Sequence, residues 1–97
     1  MTKASNINSV QYVSFDHQIS VCGGIEEPEQ FIQEFSVIRN AGENDVVSLF
    51  LNTPGGCLYT GTQFRSVLQR CQAETTAYLE SGCHSAGTII ALSCDNL

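Results

Sequence analysis

Apolar and polar positions alternate from Val10 to Phe15, the period of a half-buried strand. Asp16-His17 reads as a turn, and Gln18–Cys22 repeats the alternation as a second strand before Gly23-Gly24 breaks it. The period then changes. Phe31, Ile32, Phe35 and Ile38 recur at helical spacing, with Val37 beside them. Proline suits a first helical turn, and acids suit the positive end of the helix dipole, so Glu26-Glu27-Pro28-Glu29 marks the start. The spacing predicts a helix from about Pro28 to Asn40, stopped by Ala41-Gly42. Val46–Leu51 is nearly all apolar and predicts a central strand covered on both faces. A tight turn follows over Asn52–Gly56. Phe64 and Leu68, set among Tyr59, Thr62, Gln63, Ser66, Val67 and Arg70, predict a helix ending near Cys71. Thr75–Leu79, β-branched and aromatic, predicts a buried strand, and Ala86–Leu92 a short apolar helix.

Strand and helix therefore alternate, which predicts an α/β fold with a mainly parallel sheet. Ligands in such sheets bind at the carboxyl ends of the strands. The turn at Asn52–Gly56 follows one strand and the turn at Ser81–Ser85 follows the next, so the two are expected to meet on one edge of the sheet. Residues 1–9 read as a loose polar lead, and residues 10–97 as one small domain.

Composition narrows the function. Ten acidic residues against four basic ones give a net charge of −6, which argues against a general electrostatic surface for nucleic acid or an anionic membrane. The basic residues, Lys3, Arg39, Arg65 and Arg70, are spread along the chain. No apolar run reaches bilayer length, and the N-terminus lacks the apolar core of a signal peptide. The five cysteines are odd in number and show no Cys-x-x-Cys pair, which points to free thiols in a reducing, cytoplasmic setting and to no metal site.

The chemistry centres on Ser81-Gly82-Cys83-His84-Ser85-Ala86-Gly87. A serine at a strand-to-helix turn places its hydroxyl beside free N–H groups and the positive end of a dipole, as a nucleophile with an oxyanion hole requires. The same residues also fit an ordinary N-cap. Pro54-Gly55-Gly56 adds a second turn whose backbone N–H groups no side chain obstructs. If that turn faces Ser85, the oxyanion hole is the N–H of Gly56 and the N–H of Ala86. Otherwise the two are structural turns. Cys83 is a candidate nucleophile or a small buried thiol.

These residues resemble a known family. Leu51-Asn52-Thr53-Pro54-Gly55-Gly56 is similar to the Ile-Asn-Ser-Pro-Gly-Gly motif of the ClpP-type serine peptidases, and the Ser85 turn resembles their nucleophile motif. Gly56 and Ser85 stand as far apart as their counterparts there. Gly23-Gly24-Ile25-Glu26-Glu27 resembles the family's Gly-Pro-Ile-Glu-Asp turn. The likeness covers about residues 17–97, and the His-Ser-Ala-Gly form, with Cys57-Leu58-Tyr59, looks more like the divergent ClpP-like proteins of tailed phages than the housekeeping bacterial subunit. The resemblance implies a ClpP/crotonase-like ββα-type core, with Ser85 as nucleophile and Gly56 and Ala86 as the oxyanion hole. Gly55, Cys57, Leu58 and His84 would line the groove in which an extended peptide adds as a strand. It further implies a peptide or unfolded-protein substrate, a homo-oligomeric ring, an AAA+ unfoldase partner, ATP-dependent proteolysis and no cofactor.

One departure limits this expectation. The family's general-base histidine lies a couple of dozen residues beyond the serine, its aspartate further still, and Leu97 is twelve residues past Ser85. The chain is thus expected to be the N-terminal part of a ClpP-like domain, truncated after the nucleophile helix and inactive alone. His84 is adjacent to Ser85, where neighbouring side chains point apart. His17 is expected at the opposite end from the catalytic edge, and Asp95 reaches neither geometry obviously. The alternatives are a catalytically inactive module that joins or modulates an intact peptidase, a membrane-type serine–lysine protease, for which no lysine follows Ser85, and a crotonase-type acyl-CoA enzyme, for which cations are scarce.

Overall fold

The computed structural model describes residues 13–97. Three strands, β1 (Asp16–Cys22), β2 (Val46–Thr53) and β3 (Glu74–Cys83), alternate with three helices, α1 (Ile32–Asn40), α2 (Leu58–Arg70) and α3 (Ala86–Ser93). The sheet order is β1-β2-β3, and both pairings are parallel. The loose lead read over residues 1–9 lies outside the described residues. So does half of the strand expected at Val10–Phe15, and its described part, Val13–Phe15, is not strand.

Register decides which side chains share a face. Ile19 pairs with Leu49 and Val21 with Leu51, while Leu49 pairs with Ala77, so these residues point to one side. That side is sealed. Val47, Leu49 and Leu51 are fully buried with Phe35, Ile38, Phe64 and Ile90 from the helices. The opposite side carries Gln18, Ser20, Val46, Phe50 and Tyr78, where Phe50 and Tyr78 stack at 5.0 Å. Among the described residues, central β2 is therefore covered by helices on one face only, which differs from the expectation from its apolar run: Val46 is 38% exposed. Tyr78 and Leu79, expected to be buried, are 47% and 53% exposed, because β3 is the edge of the described sheet.

The first helix begins as a 3-10 turn over Pro28–Phe31 before the α-helix sets in at Ile32. Gln30 causes the tight start. Its Oε1 accepts from the Glu26 N–H at 2.7 Å and its Nε2 donates to the Gly24 carbonyl at 3.3 Å, drawing the turn back on itself. The helix stops differently from expectation. Ala41 is already extended at φ −64°, ψ 135°, and Gly42 is not left-handed; its N–H donates instead to Asp45 Oδ2 at 3.0 Å. An aspartate side chain thus holds the corner that a glycine conformation was expected to make. Phe35 and Phe31 meet Phe64 edge-on at 4.7 and 5.0 Å, which locks the first helix onto α2. Gly61 lets α3 approach α2: a Cβ at Gly61 would lie 3.1 Å from that of Ala86.

Candidate active site

Both glycine-bearing turns lie at the carboxyl ends of adjacent strands, as the alternation of elements predicts. Thr53 pairs with Cys83 across β2 and β3, after a register shift that lets β3 carry on toward Ser85. The His84 N–H then donates to the Thr53 carbonyl at 3.2 Å. The turns are in van der Waals contact. A Cβ at Gly55 would fall 2.6 Å from both the His84 carbonyl oxygen and Ser85 Cβ, so only glycine permits this approach.

The conformation of Ser85 separates the two readings of this residue. An N-cap serine has extended φ and ψ and accepts a backbone hydrogen bond through its side chain. Ser85 stands at φ 53°, ψ −120°, and its side chain makes no capping bond. The Gly87 N–H donates to the His84 carbonyl at 2.9 Å, which closes a four-residue turn with Ser85 at its first central position. Those angles are those of a type II′ turn, a position that favours glycine. Ser85 is the one non-glycine residue with positive φ among the described residues. A side chain held there stores about 1–3 kcal/mol. The ordinary-cap reading fails on this geometry.

The N–H groups of Gly56 and Ala86 have no acceptor among the described residues. Gly56 is held by its neighbours. Ile25 donates to the Gly55 carbonyl at 2.9 Å and accepts from the Cys57 N–H at 2.8 Å, an isolated parallel bridge around Gly56. A Cβ on Gly56, at φ 146°, would lie 2.0 Å from the Ile25 carbonyl oxygen. Cys57 opens α2, with exposed Leu58 next to it. Hydrogen bonding from the Thr60 backbone, then from its side chain, holds the Cys57 thiol below its ordinary value. Burial pushes the Cys83 thiol up, which disfavours the thiolate that a nucleophile needs.

Two residues that organise this site were not singled out in the sequence. Thr53 is buried, its Oγ1 accepts from the Gly55 N–H at 3.0 Å, and its methyl group packs where Gly87 leaves room. A threonine two residues before a glycine is the pattern of a side-chain-closed turn, and that signal was present in Thr53-Pro54-Gly55. Ile25 had no comparable signal, since its role is carried by backbone atoms.

The titratable side chains named as possible helpers are elsewhere. His84 is exposed and reaches back over Gly82, and no hydrogen bond joins its ring to Ser85. His17 Nε2 is bonded to Asp45 Oδ2 at 2.9 Å at the amino end of the sheet. Asp95 accepts from the Thr75 N–H at 2.9 Å at that same end. Among the described residues no cluster of side chains is suited to hold a metal ion, and no helix is long and apolar enough to cross a membrane.

No family model matches the sequence. The chain is 33% identical over 73 residues to an uncharacterized protein of Methanocaldococcus jannaschii, a match over 75% of this chain and 24% of that protein. ClpP1 from Listeria monocytogenes superposes with a TM-score of 0.69 at 19% identity, over 79% of this chain and 46% of that one. A variant of the same ClpP1 gives 0.70 over 80% and 46%. The 1510-N membrane-bound stomatin-specific protease, in an alanine variant, gives 0.63 at 23% identity, over 88% and 42%. The chain spans about a quarter of the curated relative's length and less than half that of the solved chains. These likenesses, with the parallel sheet and its intervening helices, show that the chain has the ClpP-like α/β fold.

Proposed function

We propose that these residues form the nucleophile-bearing part of a ClpP-type serine peptidase, with Ser85 as nucleophile. The observation that carries the reading is the strained turn at Ser85, seated against Gly55, with the N–H groups of Gly56 and Ala86 unclaimed among the described residues. Ser85 Oγ attacks the carbonyl carbon of a peptide bond. The developing oxyanion is met by the N–H of Gly56 and the N–H of Ala86, each such donor supplying roughly 2.7–4 kcal/mol to the transition state. The amine leaves with a proton, and water then hydrolyses the acyl-serine. Gly55, Cys57, Leu58 and His84 border the path of an extended peptide. A hydroxyl needs a base to take its proton. None of the described side chains is placed to do so, so in this reading the base comes from residues outside those described. The likeness to ClpP1 supports a complete protein that acts as a ring on peptides or unfolded chains, with an AAA+ unfoldase.

A second reading is an interaction module that joins or modulates an intact peptidase. A fluorophosphonate probe decides between them when applied to the protein in its native host. Covalent labelling that maps to Ser85 and vanishes in Ser85→Ala supports the peptidase. A protein that co-purifies with an active peptidase and never labels supports the module.

A further inference from the structure

The basic residues, scattered in sequence, are not scattered in space. Three of the chain's four Lys and Arg converge on the outer surface of α1 and α2. A hollow of about 500 Å³ between the helices is lined by Arg39, Gln63, Ser66, Val67 and Arg70. A second, of about 250 Å³, shares Ser66 and Arg70 and adds Thr62, Arg65 and Gln69. Buried Val67 lies at the base of the first, and the arginines are exposed around it. Arg39 lies in the last turn of α1 and Arg70 closes α2, so the hollows lie toward the amino ends of β2 and β3, away from Ser85.

None of these three guanidinium groups has a carboxylate within salt-bridge distance among the described residues. In a chain with ten acids that is a notable omission. Glu34, the half-buried acid of α1, borders a different hollow together with His17. Helix dipoles favour a cation at each helix C-terminus, but they do not account for both C-termini opening on one groove, or for Arg65. Guanidinium forks bind carboxylates in a bidentate manner, and Gln63, Ser66 and Gln69 add neutral partners for a backbone.

We propose that the α1–α2 groove is a docking site for an acidic peptide segment, one with closely spaced Asp or Glu side chains. The two hollows run along α2 for the length of several residues, which suits an extended chain better than a single small anion. No aromatic side chain lines them, so a nucleobase would find no stacking platform. The net charge of −6 repels polyanions elsewhere on the surface and confines such a partner to this groove. The site is independent of the chemistry proposed for Ser85.

The test is fluorescence anisotropy of the protein with a fluorescein-labelled oligoglutamate peptide. Binding that weakens with salt, and by roughly fivefold or more in the Arg39→Ala/Arg70→Ala double variant, is expected from the loss of two exposed ion pairs. Arg39→Lys/Arg70→Lys keeps the charges but not the forks, and its affinity falls between those of the wild type and the alanine variant. Circular dichroism confirms that each variant is folded. No binding by the wild type, or equal binding by the alanine variant, overturns the proposal. So does displacement of the peptide by equimolar inorganic phosphate, or tighter binding of an oligonucleotide, since either assigns the groove to another ligand.

Discussion

At the amino ends of the strands, carboxylates and backbone donors satisfy one another. Asp45 accepts from His17 Nε2 at 2.9 Å, from the Gly42 N–H at 3.0 Å and from the Phe15 N–H at 3.1 Å. Asp95 accepts from the Thr75 N–H, and its own N–H donates to Thr75 Oγ1 at 2.8 Å. Asp16 accepts from Ser48 Oγ at 3.0 Å. At the carboxyl ends the arrangement is reversed. Two N–H groups lack acceptors among the described residues, a serine occupies a conformation suited to glycine, and glycines at 55 and 56 allow backbone contact that no Cβ would permit. One end stores stability in paired polar groups, while the other spends it on strain and unpaired donors. A parallel sheet separates the two kinds of end by the length of its strands.

The carboxyl end is the more fragile. Gly56→Val puts a branched side chain where the Ile25 carbonyl stands 2.0 Å from an ideal Cβ, at a φ of 146°. Relief requires moving backbone, not a side chain. A loss of about 4 kcal/mol or more is expected, the size that marks a disrupted backbone site. Gly23→Ala is the control: φ is 84°, but nothing lies within 4 Å, so only the conformational penalty of about 1 kcal/mol applies. Urea denaturation of both measures the gap. Equal losses would mean that contact with Ile25 does not matter.

At the amino end, Thr75 is buried, and its Oγ1 accepts from the Asp95 N–H and donates to Asp95 Oδ2 at 3.2 Å. Thr75→Val preserves shape and removes both bonds. It is expected to cost about 1–3 kcal/mol, because the Asp95 N–H loses its acceptor. The same denaturation experiment reads it, and an unchanged midpoint would show that solvent replaces the lost bonds.

Most of this architecture is legible in the residues. The switch from period two to 3.6 near Pro28, the apolar run at Val46–Leu51 and the two glycine turns place the elements, and their alternation brings both turns to one end. What is hidden depends on geometry that similar residues share. Ser85 before Ala86-Gly87 reads equally as a relaxed cap and as a strained turn, since φ is not a property of composition. Gly42 resembles a helix-ending glycine, yet Asp45 does that work from three residues away. Arg39 and Arg70 are thirty-one residues apart, and only the packing of α1 on α2 opens them onto one groove. The open sheet face at Phe50 and Tyr78 is invisible for a related reason: an apolar strand does not say how many of its faces are covered.

Acid should weaken the amino end selectively. The hydrogen bond from His17, then those from the Gly42 and Phe15 backbone, hold the Asp45 carboxyl below its ordinary value of 3.8. A lowered carboxyl contributes stability that is present above the unfolded value and is lost as pH falls through the folded one. Stability measured below about pH 3.8 should therefore fall less steeply in Asp45→Asn than in the wild type. The gap between the two proteins should narrow toward the most acid end. Parallel curves would show that Asp45 titrates alike in the folded and unfolded chains.

The smallest effect runs the other way, toward greater stability. Glycine at position 85 removes the Cβ that makes φ 53°, ψ −120° costly, a relief of about 1–3 kcal/mol. It also gives back about 0.5–1 kcal/mol, because glycine gains more freedom in the unfolded chain. The net expectation for Ser85→Gly is a gain of about 1 kcal/mol, or a rise of roughly 4–8 °C in Tm for a domain of this size. Ser85→Ala keeps the Cβ and should leave Tm nearly unchanged. Both remove the hydroxyl and any labelling by a fluorophosphonate. Scanning calorimetry of the two variants therefore separates the strain from the chemistry. A glycine variant more stable than alanine shows that the fold holds this hydroxyl at a cost in stability, as a functional site does. A glycine variant less stable than alanine would mean that the turn is relaxed with serine in place, and the contrast between the two ends of the sheet would lose its strongest support.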